Sequence, residues 1–168
     1  MTKRINAVLL SVLLLSLLAA AQPAKPLLTI DNKVPSAISI TPEEWAKLPR
    51  TTVMATRGHS KDKVQYEGVS LKAVLEKAGV LNADKPLHGK QLLQYVVVTA
   101  SDGYRVLFSL AELEEATGAT SNVLLADKVD GKPLGEKEAP LQLVVPSDKR
   151  PERFIRMITS ISVGTLAQ

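Results

Sequence analysis

The chain has 168 residues, 45% of them hydrophobic and 23% charged, and its formal net charge is +4. It contains no cysteine, which excludes disulfide bonds, thiol catalysis and thiolate metal sites. Its two histidines provide too few nitrogen ligands for a typical zinc site. A chain of this length indicates one domain.

The first 21 residues have the pattern of a secretory signal peptide. A short basic head is followed by an apolar run from Ile5 to Leu18, and the small residues 19–21 form a cleavage site. The apolar run is shorter than the ~20 residues that span a bilayer. We therefore predict cleavage after Ala21 rather than an uncleaved anchor, a periplasmic or otherwise extracytoplasmic location, and no membrane span in the mature protein.

The basic head also bears on the export route and on the net charge. It contains Lys3 and Arg4 rather than a pair of arginines, which is typical of chains exported unfolded. Its removal leaves 19 basic and 17 acidic side chains. A balance so close to neutral does not predict nucleic-acid binding.

Residues 22–26 form a polar leader, and the predicted domain covers 27–168. Segments rich in apolar and β-branched residues predict about eight strands. They lie at 27–30, 51–56, 64–69, 92–99, 104–108, 122–126, 141–145 and 154–163, with a further short extended piece at 38–40.

Three short helices are indicated by their first residues. Thr41 and Glu44 predict a capping box, Ser70 caps an amphipathic helix that stops at Gly79, and Ser109 begins a third helix. Strands and helices do not alternate strictly, so the pattern predicts a single α+β domain with a mixed or antiparallel sheet. The two C-terminal apolar runs are expected to complete that sheet.

Four segments, taken in this order, resemble one family. They are YEGVSLKAVLEKAG at 66–79, SDGY with SLAEL within 101–113, LLA with DGKPL within 124–134, and APLQLVVP with a second apolar run within 139–163. Over most of residues 27–163 the chain resembles the molybdopterin-binding domain of the sulfite oxidase family. The resemblance implies an α+β fold, and it is the only reason to consider molybdopterin as a cofactor.

The sequence departs from the family pattern at positions that are associated with catalysis in other members. Members that do redox chemistry hold molybdenum through a cysteine thiolate after the first core strand, where this chain has no cysteine in 53–59. Catalytic members usually have glycine and arginine where this chain has Ala139 and Gln142. Molybdopterin enzymes of this kind cross the membrane folded, on a twin-arginine signal. These departures imply a non-catalytic module without a cofactor.

Seven residues are candidates for ligand binding, and none is assigned as catalytic or as a metal ligand. Four of them lie in residues 148–156, which we call the arginine segment, and there a phosphate, a carboxylate or an acidic partner surface would dock. The alternative for this segment is a solvated loop with internal ion pairs, and for the other candidates it is surface exposure or packing. The candidates are Arg57, His59, Tyr104, Lys149, Arg150, Arg153 and Arg156.

Three functions follow from this interpretation. The first is an extracytoplasmic non-catalytic module that binds a small anion or an envelope protein. The second is a molybdopterin-dependent oxidoreductase with ligation by a residue other than cysteine. The third is a protein that acts only through its surface on an envelope redox or sensory system.

Overall fold

The computed structural model describes residues 25–31, 37–57, 60, 62–114 and 122–167. The predicted signal peptide and His59 therefore lie outside the described residues. The strands of the described part are β1 (Leu28–Asp31), β2 (Ile38–Ile40), β3 (Thr51–Thr56), β4 (Lys63–Ser70), β5 (Gln94–Ala100), β6 (Arg105–Ser109), β7 (Leu124–Val129), β8 (Lys132–Pro133), β9 (Gln142–Val144) and β10 (Ile158–Thr165). The helices are α1 (Pro42–Trp45) and α2 (Leu71–Lys77), with 3₁₀ turns at Gly89–Leu93, Leu110–Leu113 and Pro151–Arg153.

The strands form two sheets instead of the one sheet that the sequence predicted. The first sheet has the order β2-β1-β10-β5-β6, in which only β1 and β10 are parallel. The second sheet is antiparallel, with the order β3-β4-β7, and both β8 and β9 lie beside β7. The predicted α+β domain with mixed pairing is confirmed.

The two C-terminal apolar runs belong to different sheets. Strand β9 pairs with β7, whereas β10 lies between β1 and β5. The second run was predicted as a strand from Phe154, but its strand begins only at Ile158. The intervening backbone turns because Met157 adopts a left-handed conformation with φ of 53°, which extended strands do not contain.

Local sequence signals account for two of the three predicted helices. Thr41 and Glu44 form both hydrogen bonds of the capping box of α1, and the Ser70 hydroxyl accepts a hydrogen bond from the Ala73 amide at the start of α2. The third prediction was wrong in type. Ser109 forms no side-chain cap, and the segment after it is a 3₁₀ turn at Leu110–Leu113.

The main core contains the inner face of the first sheet, helix α2 and one face of β7 and β9. Its fully buried members include Val96, Ile161, Leu75, Leu125 and Leu143. A smaller cluster covers the other face of the second sheet, where Tyr66 packs with Leu124, Ala126 and Val144. Among the described residues, no helix is both long and apolar enough to cross a membrane.

Trp45, the only tryptophan of the chain, anchors α1 to the second sheet. Its side chain is buried, and its indole Nε1 donates a 2.6 Å hydrogen bond to the Asp127 carboxylate. Arg50 donates two further hydrogen bonds to the same carboxylate. Burial by itself would raise the pKa of Asp127, but the hydrogen bonds from Arg50 and Trp45 outweigh it, so the pKa is lowered from 3.8.

This pKa shift predicts a pH-dependent stability. The folded-state pKa is depressed, so the contribution of Asp127 is complete above pH 3.8 and is lost as the pH falls from there through the folded-state pKa. We expect Asp127→Asn to destabilise the fold by roughly 1–2 kcal/mol at pH 7 and by much less at pH 3. Urea unfolding followed by circular dichroism measures both values. Asp84→Asn, at an exposed turn, is the control, and an equal loss at both pH values would contradict the prediction.

Candidate functional site

Two adjoining cavities form a surface groove between the second sheet and the chain that leads into β10. Their volumes are about 430 and 200 Å³. Both are lined by Glu152, Phe154 and Arg156, so they adjoin at these side chains. The larger is completed by Arg57, Glu138, Gln142 and Pro151, and the smaller by Ala100, Asp102, Tyr104, Ile155 and Met157.

The backbone of the groove is held from both sides at Met157. The Met157 amide donates to the carbonyl of Glu138 at 3.1 Å, and the Met157 carbonyl accepts from the Ser101 amide at 2.9 Å. These bonds hold a left-handed conformation that is unfavourable for a residue with a side chain. As a result, the turn that places Arg156 at the groove is defined by the fold and not by local preference.

Gln142 lies in the wall of the larger cavity and is not satisfied by the protein. It is the first residue of β9 and only 5% exposed. Its Oε1 atom is buried and accepts no hydrogen bond from the described residues. An unpaired buried polar atom costs about 1–3 kcal/mol, and since this oxygen is also shielded from the cavity, a ligand in the groove would reach it only if the side chain moved.

The charges of the groove are of two kinds. Arg57, at the end of β3, donates to both carboxylate oxygens of Glu138 at 3.1 Å, and this pair is largely self-neutralising. Arg156 and Glu152, in contrast, are exposed, and neither side chain forms an ion pair with another described residue. The groove therefore presents one cation, Arg156, and two carboxylates, Glu152 and Asp102, that have no ionic partner in its described part.

Arg153 connects the arginine segment, which lines the groove, to neighbouring parts of the fold. Its guanidinium donates to both oxygens of Asp148, at 2.6 and 2.7 Å, and to Glu112 at 2.8 Å. It also lies 4.8 Å from the centroid of the buried Phe108 ring, a geometry in which a cation is attracted to the ring. These contacts join the arginine segment to β6 and to the 3₁₀ turn after it.

The family profile of the oxidoreductase molybdopterin binding domain matches residues 17–165. The chain belongs to this family. The resemblance found in the sequence is therefore confirmed.

A solved structure gives the same result for the fold. The sulfane dehydrogenase SoxCD of Paracoccus pantotrophus superposes with a TM-score of 0.61 at 19% sequence identity. The match covers 81% of this chain and 37% of the SoxCD chain, so this protein corresponds to little more than a third of that chain. The comparison with curated proteins gives no match.

The residues of this family member do not fit molybdenum held in the family's manner. The whole chain lacks the cysteine whose thiolate would bind the metal. In the part of the chain that the structure describes, no group of three or more histidine, aspartate or glutamate side chains is arranged to hold a metal ion. The position where catalytic relatives tend to have arginine is the neutral and buried Gln142. We therefore derive no reaction step through molybdenum.

Three predicted site residues meet in the groove. Arg57, Tyr104 and Arg156 line it, and the Tyr104 hydroxyl donates a long 3.4 Å hydrogen bond to the carbonyl of Glu152. Lys149 and Arg150 are exposed and line neither cavity.

Sequence reasoning did not select Glu138, Gln142, Glu152 or Phe154 as site residues. The position of Glu152 between Arg150 and Arg153 could have indicated a site residue. In the sequence, internal ion pairs are the alternative to ligand binding for this segment. Glu138 had no such indication, because it reaches Arg57 across 81 positions of the chain.

Proposed function

We propose that this protein is an extracytoplasmic, non-catalytic binding module built on a molybdopterin-domain fold, and that it binds a small anion in the groove. The observation that supports this most directly is Arg156. Its guanidinium reaches both cavities and has no carboxylate partner among the described residues. A planar guanidinium with free donors is well suited to bind a carboxylate or an oxoanion with two hydrogen bonds.

The chemistry of the groove supports a binding role over a catalytic one. Its lining contains no histidine, cysteine, serine or lysine in the described residues, so a serine or cysteine nucleophile with a histidine or lysine base is absent there. The extracytoplasmic location is supported by the signal-peptide pattern of residues 1–21.

Arg156→Ala tests the proposal. We expect acetate, phosphate or sulfate to raise the melting temperature of the wild-type protein. The variant should bind the same anion about tenfold or more weakly, because it loses a charge-assisted hydrogen bond worth about 1.5–3 kcal/mol. Titration followed by NMR chemical shifts measures the dissociation constants. Arg150→Ala is the matched control, as this nearby arginine is exposed and outside the groove. Equal affinities of the two variants would overturn the proposal.

Family membership favours a second candidate, an oxidoreductase that holds molybdopterin without cysteine. Metal and pterin analysis of the protein purified from its native compartment separates the two. Molybdenum in amounts close to one per chain would support the oxidoreductase, and its absence together with the absence of pterin fluorescence would exclude it.

A further inference from the structure

The groove is larger than a simple anion requires, and its lining contains both positively and negatively charged side chains. The volume of its larger cavity, about 430 Å³, lies in the range of sites for small organic ligands. An anion bound at Arg156 would also face the carboxylates of Glu152, Glu138 and Asp102, which lie in the same lining. A ligand with negative charge only would be repelled by the free Glu152.

We propose, resting on the function proposed above, that the groove binds a zwitterion: a small organic molecule with a carboxylate for Arg156 and an ammonium group for Glu152. Both side chains line both cavities, and neither has an ionic partner among the described residues. A ligand whose carboxylate meets Arg156 and whose ammonium group meets Glu152 is complementary to both side chains. Such charge complementarity also disfavours ligands with the wrong charges.

The other walls of the groove agree with an organic ligand. Phe154 and Pro151 provide apolar surface between the charged groups, where a carbon chain would pack. The side-chain amide of Gln142, in the wall of the larger cavity, adds a neutral polar group beside this apolar surface.

Matched pairs of probes test the proposal, each pair differing only in the amino group. They are glycine and acetate, γ-aminobutyrate and butyrate, and ε-aminocaproate and caproate, so that the spacing between the two charges is sampled. Dissociation constants are measured by NMR titration of the folded protein. We expect at least one amino compound to bind about tenfold or more tightly than its carboxylate partner.

Two variants assign the charges. Glu152→Gln should remove the preference for the amino compound while leaving carboxylate binding in place, and the exposed position of Glu152 makes loss of the fold unexpected. Arg156→Gln should weaken both members of the pair, whereas Arg150→Gln should change neither.

The outcomes separate this inference from the function on which it rests. If carboxylates bind at Arg156 as tightly as their amino partners, or if Glu152→Gln keeps the preference, the zwitterion inference is overturned and anion binding stands. If neither the carboxylates nor the amino compounds bind, both are overturned.

Discussion

Gly68→Ala is expected to destabilise the protein by about 3 kcal/mol or more, a large share of the roughly 5–15 kcal/mol that stabilises a typical native protein. Gly68 lies within β4, beside an irregularity in its pairing with β7. A Cβ atom at this position would overlap the carbonyl oxygen of Leu125 and lie 2.6 Å from the Cα atom of Ala126. These are backbone atoms of a central strand, which cannot rotate away as a side chain can. The added methyl group must therefore force β4 and β7 apart.

Urea unfolding, followed by the fluorescence of the single tryptophan Trp45, measures the effect. Gly135→Ala is the matched control, because a Cβ there meets only the Glu138 carboxylate at 3.7 Å and no left-handed backbone is involved. We expect the control to change stability by no more than about 0.5 kcal/mol. A Gly68→Ala protein with the stability of the control would show that the strands separate at little cost.

Arg153→Ala is expected to impair both stability and ligand binding. The substitution removes the bonds to Asp148 and Glu112 and the contact with Phe108, and it should destabilise the fold by roughly 2 kcal/mol. The side chain is about one third exposed, so solvent screening limits the effect to this size. Since Arg153 is one position from both Glu152 and Phe154, its loss should also let the groove wall move, and we expect about tenfold weaker binding of the best anion or zwitterion.

Local hydrogen exchange distinguishes this positioning role from a general loss of stability. The amides of Phe154 and Met157 donate to Pro151 and Glu138, and both should exchange faster in Arg153→Ala under conditions where the protein remains folded. Arg153→Lys keeps the charge but lacks the planar donor fork, so it should recover only part of the binding. Arg150→Ala serves as the control. Unchanged ligand affinity in Arg153→Ala would show that the arginine contributes to stability alone.

The three arginines of this segment show where sequence reasoning was adequate and where it was not. Arg150, Arg153 and Arg156 are spaced three apart in one charged segment, and all three were predicted to bind a ligand. The structure leaves Arg150 at the surface, pairs Arg153 with Asp148 and Glu112, and places Arg156 at the groove with no ionic partner among the described residues. Their different roles depend on Glu112 and Phe108, which are more than 40 positions away in sequence.

The sequence by itself determined the starts of both α-helices, the α+β class, the family and the absence of a metal-binding thiolate. These features depend on residues close together in the chain or on the residue types present, so they are visible without a fold. Only the tertiary structure decided that the two C-terminal runs enter different sheets. It also decided that, within the part of the chain that is described, the buried Gln142 oxygen is unpaired and Arg156 and Glu152 have no ionic partners. Strand pairing and side-chain pairing across the groove join residues far apart in the chain, and no local pattern encodes which of several similar charges will find a partner.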